Sequence, residues 1–339
     1  MKRSRWIAPI VLVALAGAYW WLRPRPQKLL EAYVSERSAT LWSSLAQVRQ
    51  SVATVRYGEK VAVLDRRGEQ AQVRTSQGVK GWIEARLLMD AALWQRSERL
   101  LAEARAMPVQ ARGRTKVASN VRIEPGRGAA RVYQFIRGAP VEVLSRAVAE
   151  SSASSEEPGA EQKPRGEDWF FVRGLATSGP SSGGGEIIAG KGEEPVPVAG
   201  WVLARFIELD LPDGARDYVS SAGLRVVAWF ELNRVPDAQG EKPQYLVAGV
   251  RGGEGQPCDF TMIRVYTWGA KRSGYETAYI ESNLCGRLPI RVDKTATGDP
   301  EFRFSALASG KAGPSSGYEE RRYVMRQTMV RRVRASERR

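Results

Sequence analysis

The chain has no histidine and only two cysteines among its 339 residues. Without imidazole it lacks the usual proton carrier at neutral pH, which removes Ser–His hydrolysis and histidine-ligated metal sites. Cys258 and Cys285 are too few and too far apart for a zinc site. In an exported chain such a pair reads as a disulfide; in a cytosolic one it would more often be two buried thiols. Phosphate loops are missing as well, because Gly183-Gly184-Gly185 and Gly252-Gly253 lack a following Lys-Ser/Thr pair. The serine-rich stretches read as loops. No cofactor and no metal are therefore expected.

Long apolar runs are scarce. Only Trp6 to Leu22 goes seventeen residues without a charge, between Lys2, Arg3 and Arg5 and the segment Arg23-Pro24-Arg25-Pro26. That length is at the short end for a membrane-spanning helix, with Trp20-Trp21 as interfacial aromatics. Ala16-Gly17-Ala18 has the form of a small-x-small cleavage site, so a removed signal peptide is one reading. The bulky aromatics and arginines just beyond it favour an anchor that stays. The short basic N-terminus and the cysteine pair together place the body outside the cytoplasm.

Acidic charge is deficient at the two ends. Residues 1–28 hold six basic groups and no acidic one, and residues 317–339 hold eight arginines against Glu319, Glu320 and Glu337. Of the net charge of +15, only +4 is left for the 288 residues between. Basic ends read as topology signals or solvated tails, so no nucleic-acid partner is expected.

What the chain does contain is a repeat. Gly81-Trp82-Ile83-Glu84-Ala85-Arg86-Leu87-Leu88 returns as Gly200-Trp201-Val202-Leu203-Ala204-Arg205-Phe206-Ile207. Further back, Val61 to Leu64 faces Val141 to Leu144, Gly58 faces Gly138 and Leu41-Trp42 faces Val121-Arg122, all at an offset of 80. Val73-Arg74 faces Val172-Arg173 at 99, and the Gly-Trp pairs stand 119 apart. The second copy thus carries insertions of 19 and 20 residues. They fall in the Ser-, Gly-, Glu- and Pro-rich stretches Glu150 to Glu167 and Ala176 to Val198, where surface loops lengthen at little cost.

Within residues 29–89, Tyr33-Val34, Ala39 to Trp42, Val52 to Val55, Val61 to Leu64, Ala71 to Val73 and Gly81 to Ile83 are short β-prone runs between turn residues. Such spacing describes a small barrel. Asp90 is placed to cap a helix running to about Ala106, with Leu93, Trp94, Leu100, Leu101 and Ala104 on one face. That face suits packing against a barrel, or a partner. After Leu211-Pro212-Asp213-Gly214 the pattern becomes successive hairpins: Leu224 to Leu232, Gln244 to Val250, Asp259 to Trp268, Tyr275 to Ile280, Leu288 to Val292, Glu301 to Ala306 and Tyr323 to Val333. This predicts an antiparallel meander, as a sandwich or one to two propeller-like blades. Cys258 precedes one of these strands and Cys285 follows the next, so a hairpin would bring them together. Such a bridge contributes about 3 kcal/mol in the loop-entropy account.

The first copy, through Tyr57-Gly58-Glu59-Lys60-Val61-Ala62-Val63-Leu64, Val73-Arg74, Gly78 and Gly81-Trp82-Ile83, resembles a bacterial SH3-type domain. The second copy adds Asn120-Val121-Arg122-Ile123-Glu124-Pro125-Gly126, similar to that family's Asn-Leu-Arg-x-x-Pro opening, and Trp169-Phe170-Phe171-Val172-Arg173. The resemblance covers roughly residues 30–90 and 113–210. It departs in copy one, where Thr40-Leu41-Trp42 lacks the Arg and Pro and Gln70 stands in place of Trp169. In such folds aromatics line a groove for extended peptides. The resemblance therefore implies Tyr57, Trp82, Tyr133, Trp169, Phe170 and Trp201 as ligand-binding candidates; the alternative for these rings is core packing.

Five segments are expected. They are an anchor (1–28), a first SH3-like barrel (29–89), a linker helix (90–108), a second barrel with two long loops (109–211) and an antiparallel β domain (215–335). The function expected is that of a non-enzymatic, single-pass protein of the bacterial inner membrane. Its partners would be the membrane, through the N-terminal helix, and peptidoglycan or envelope proteins. The alternative is a cell-wall enzyme whose active site lies on the C-terminal β domain, with the barrels as targeting units. Glu276, Glu281 and Asp259 are the carboxylates considered for it.

Overall fold

The computed structural model describes residues 30–150, 166–176, 196–221, 223–308 and 317–333. The expected anchor, and most of both insertions of the second copy, lie outside the described residues. What is described is mainly antiparallel sheet.

The first unit consists of β1 (Leu30–Val34), β2 (Ser38–Trp42), β3 (Ser51–Arg56), β4 (Lys60–Arg67), β5 (Gln70–Thr75), β6 (Lys80–Glu84), a 3₁₀ turn (Ala85–Leu87) and β7 (Leu88–Asp90). Its sheet order is β3-β2-β6-β5-β4-β1-β7. Helix α1 (Ala91–Ala106) follows. The second unit consists of β8 (Ala111–Thr115), β9 (Ser119–Arg122), β10 (Arg131–Phe135), β11 (Pro140–Glu150), β12 (Gly166–Ala176), β13 (Val196–Leu203), a 3₁₀ turn (Ala204–Phe206) and β14 (Ile207–Leu209). Its order, β10-β9-β13-β12-β11-β8-β14, is that of the first unit strand for strand.

Details repeat as well. The register slips between Val63 and Asp65 in one unit and between Val143 and Ser145 in the other, so Leu64 and Leu144 are equivalent bulge residues. The glycine of each Gly-Trp pair lies where strands crowd together. A Cβ on Gly81 would stand 2.7 Å from Leu41 Cβ, and one on Gly200 would stand 2.6 Å from Val121 Cγ1 and 2.7 Å from the Arg122 carbonyl oxygen. The repeated motif is thus a packing requirement first. β7 and β14, three residues each, were not expected; a strand that short carries no period to read.

Asp90 caps α1 as expected, its Oδ1 accepting from the Leu93 amide at 2.7 Å. The apolar face packs on both units. Trp94 stacks on Tyr33 (5.0 Å between ring centres, 5° between planes) and meets Tyr57 edge-on, while Leu100 and Leu101 lie against Leu144, Phe171 and Ala199. At the far end the Arg173 guanidinium donates to the Ala104 carbonyl at 2.9 Å, a cation at the helix C-terminus.

Helix α2 (Asp213–Ser221), also unexpected, buries Ala215 and Val219. Eight strands follow: β15 (Arg225–Val235), β16 (Lys242–Val250), β17 (Met262–Gly269), β18 (Gly274–Glu281), β19 (Gly286–Lys294), β20 (Pro300–Leu307), β21 (Tyr318–Arg326) and β22 (Met329–Val333). They form two four-stranded meanders, β15 to β18 and β19 to β22. The expected last strand, Tyr323 to Val333, is corrected to a hairpin. It turns at Gln327, whose φ of 53° occurs without a glycine to announce it. The Cys258–Cys285 disulfide is formed and joins the approaches to β17 and β19, so it links the two meanders.

Packing does not pause between the second unit and these meanders. One buried cluster runs from Tyr57 and Met89 through Val121, Val143 and Phe170 to Phe260, Phe302 and Met325. Gln110, fully buried, bridges the join like one residue of a strand. Its Oε1 accepts from the Ile290 amide at 2.7 Å and its Nε2 donates to the Ile290 carbonyl at 3.2 Å, while its own carbonyl accepts from the Trp229 amide. The register break in β19 between Arg287 and Arg291 leaves Ile290 free for this pairing.

Charges complete the join. Asp168, buried in β12, accepts from Arg146 at 2.5 Å, Arg225 at 2.7 Å and the Gly255 amide at 3.0 Å. Arg146, whose side chain is 1% exposed, also donates to the carbonyls of Cys258 and Gln256. Asp259 accepts from the Leu288 amide and Arg287, and burial raises its carboxyl above the ordinary range. Next to Asp168, Glu167 takes a forked bond from Arg127 and another from Arg205. Glu167 was expected in a loop; it is a strand residue paired with Ala149.

Three outcomes follow from this packing. Gly200→Ala is expected to cost about 1–3 kcal/mol by overcrowding. Gly128→Ala, where a Cβ meets nothing within 4 Å, should stay within about 0.5 kcal/mol in the same denaturant titration. Asp168→Asn removes the carboxylate that Arg146 and Arg225 share and is expected to cost about 3 kcal/mol or more; a loss under about 1 kcal/mol would show that the network does not hold the join. Hydrogen bonds from Arg127 and Arg205 lower the Glu167 carboxyl below its ordinary 4.5. Its stabilisation is therefore present above that value and fades as pH falls below it. Glu167→Gln should accordingly be less stable than the native chain at about pH 7, with the gap closing toward about pH 3; a gap constant with pH would refute the assignment.

Candidate functional site

The six aromatic candidates do not share one groove. Tyr57 and Tyr133 meet edge-on at 5.3 Å where the two units join, and burial pushes the Tyr133 hydroxyl up to about 12. Phe170 is part of the long core, and Trp201 leans on Phe171 beneath α1. Trp82 is buried with the Arg67 guanidinium 5.4 Å from its ring centre. Trp169, 1% exposed, borders a pocket.

That pocket, of about 200 Å³, is lined by Ala118, Asn120, Arg122, Arg127, Trp169, Leu203 and Phe206. A second one, of about 220 Å³, is lined in the first unit by Ser38, Thr40, Trp42, Gln70, Glu84, Leu87 and others. These are the same positions. Ser38, Thr40 and Trp42 answer to Ala118, Asn120 and Arg122 at 80, Gln70 to Trp169 at 99, and Glu84 and Leu87 to Leu203 and Phe206 at 119. The pairing agrees: Trp42 lies opposite Trp82 and Arg122 opposite Trp201, while Gln70 lies opposite Glu84 and Trp169 opposite Leu203.

Each pocket is made by four elements of one unit, one of them the loop that carries Arg49 or Arg127. β2 or β9 presents alternate residues, which point to one face by the period of two. The start of β5 or β12 supplies one wall, and the 3₁₀ turn after the Gly-Trp strand supplies the other. The linings differ in charge and polarity. In the first unit Arg49 lies over the Trp42 ring at 4.5 Å, and Glu84 is bonded by Arg86. In the second, the Arg122 guanidinium donates to the Ala129 carbonyl and has no carboxylate partner among the described residues. Burial, together with the neighbouring charges of Arg131 and Arg127, holds it below the ordinary arginine value. Asn120 and Arg122 were legible as a motif but not as a site; the repeat register that pairs Arg122 with Trp42 was the available signal.

A larger cavity of about 560 Å³ lies among Arg105, Arg112, Val141, Glu142, Arg173 and Leu175. Its charges answer one another, Arg173 binding Glu142 at 2.6 Å with Arg112 at 3.8 Å. The carboxylates considered for catalysis are separately engaged. Asp259 is held by Arg287 and the Leu288 amide, Glu281 by Tyr323, Tyr279 and Arg321, and Glu276 lies 3.7 Å from Arg272.

No family model and no curated protein matches the chain. Among solved structures, an NlpC/P60 family protein from Bacillus cereus aligns at 12% identity over 60% of this chain and 65% of that one, with a TM-score of 0.20. NlpC2 from Trichomonas vaginalis aligns at 8% identity over 89% and 99%, with a TM-score of 0.17, and NlpC1 from the same organism at 9% over 90% and 95%, with 0.18. The chain spans about 65% of the length of the Bacillus cereus protein. Likeness at these scores assigns neither fold nor activity, so the case for function rests on the chain's own paired pockets.

Proposed function

We propose that this is a non-enzymatic envelope protein, held in the bacterial inner membrane by its N-terminal apolar run, whose two SH3-like units bind cell-wall peptide or protein partners. The observation that carries the reading is the pair of pockets at equivalent positions of two units with one strand order. Duplicated cores alone would need no matching hollows. The formed disulfide fits a body outside the cytoplasm, where such bonds persist. The apolar run Trp6 to Leu22 lies outside the described residues, and among the described residues no helix is long and apolar enough to cross a membrane. Pockets of this size suit a short segment or a chain end rather than a folded surface.

Co-sedimentation of the full chain in detergent with purified peptidoglycan sacculi tests the cell-wall part of this reading. Binding that survives about 1 M salt, where surface charge is screened, is the expected result. Binding lost with salt would be attraction by the basic tail, and no binding at either salt would leave protein docking as the role of the units.

A further inference from the structure

The two pockets are alike in place and differ in their polar groups, and the difference says what the second one takes. In the second unit the uncommitted polar groups are all donors. Asn120 spends its Oδ1 on Gln134 at 3.1 Å, which leaves its amide NH₂ facing no described acceptor. Arg122 gives one N–H to the Ala129 carbonyl and keeps the rest of its guanidinium fork. The Trp169 indole N–H is buried without a partner, although a stranded buried donor is costly. The other nearby cations are already neutralised: Arg127 by Glu167 and Arg131 by Glu36 at 3.0 Å. Arg122 is left as the uncompensated charge.

We propose that this pocket is a carboxylate site, in which Arg122, Asn120 and Trp169 donate to the terminal carboxylate of a peptide or small organic acid. A guanidinium fork matches two carboxylate oxygens. The volume, equal to roughly six or seven waters of liquid at about 30 Å³ each, admits one chain end and little more. The first unit makes the contrast. Trp42 replaces Arg122, Gln70 replaces Trp169, and the unpartnered buried atom there is the Gln70 Oε1, an acceptor. The arginine of that pocket, Arg49, lies over the Trp42 ring at 4.5 Å. The inference deepens the proposed function and rests on it only for the source of the ligand.

The test follows the indole N–H resonances of the full chain, labelled with ¹⁵N-tryptophan in detergent micelles, with the Trp169 signal assigned by Trp169→Phe. The probes are N-acetylalanine, N-acetylalaninamide and inorganic phosphate. A saturable shift of the Trp169 signal with the acid is expected, at least about tenfold weaker with the neutral amide. Arg122→Gln should weaken the acid about tenfold or more, while Arg303→Gln, which removes a half-buried charge paired with Asp293 on a distant sheet, should not. Equal response to acid and amide overturns the proposal on the unaltered protein, so it stays falsifiable even if Arg122→Gln fails to fold. Phosphate binding as tight as the acid would overturn the carboxylate assignment. Because sacculi are absent from this titration, a carboxylate response without sacculus binding sinks the cell-wall reading alone. Sacculus binding with no carboxylate response sinks only the pocket.

Discussion

The carboxylate of Asp168 is the point on which the arrangement of the second unit depends. It sits in β12 with the guanidinium groups of Arg146 and Arg225 and the Gly255 amide aimed at it. A buried charge is tolerated only when such partners surround it, and removing one partner leaves the others stranded. Here the partners come from β11, from β15 and from the segment that leads to Cys258. One carboxylate therefore fixes the hairpin of the second unit and the loop of the next region at once. Because successive strand residues face opposite ways, holding Asp168 on the join also holds Trp169 toward the pocket. Glu167, two residues before Trp169, binds Arg127 on the pocket side and thereby cancels a charge that would otherwise compete with Arg122.

The repeat shows how such a network is acquired. At the equivalent positions of the first unit stand Arg66 for Arg146 and Glu69 for Asp168, the same charge types at offsets of 80 and 99. Both are exposed there. Among the described residues no ion pair forms between them. In the second unit the hairpin is three residues longer at β11 and the C-terminal meanders close over it, which buries the equivalent charges and brings them together. The aromatics diverge for the same reason. Trp169 needs the cover that the second unit has, and the first unit keeps Gln70 at that place.

Much of the fold was legible because it rests on local rules. Gly-Trp repetition, the offset series, the Asp90 cap and the cysteine pairing all reported real features. What escaped reading lacked a local signal. β7 and β14 are three residues long; α2 carries Gly214 in its first turn, a residue that argues against helix; Gln327 turns a hairpin without glycine. Gln110 reads as an ordinary polar residue, yet it is fully buried, because the far-off break in β19 offers its amide the Ile290 backbone in addition to the local Pro108 carbonyl. The aromatic candidates reveal the converse limit. A ring repeated in two copies is legible, but whether it lines a groove or fills a core depends on what packs over it.

The contacts between the units bear on how the two pockets act together. Tyr33, Trp94, Tyr57, Tyr133 and Phe135 form an unbroken series of ring contacts at 5.0 to 5.5 Å from the first unit through α1 into the second. Arg131 adds a bond to Glu36, whose carboxyl burial raises above the ordinary range. Geometric aromatic pairs of this kind add about 0.5–1.5 kcal/mol each beyond their burial, so the units are held to one another through ring contacts. Two weak sites on one chain gain from each other only when a partner spans the separation between them, since effective concentration falls to nothing when geometry forbids joint binding.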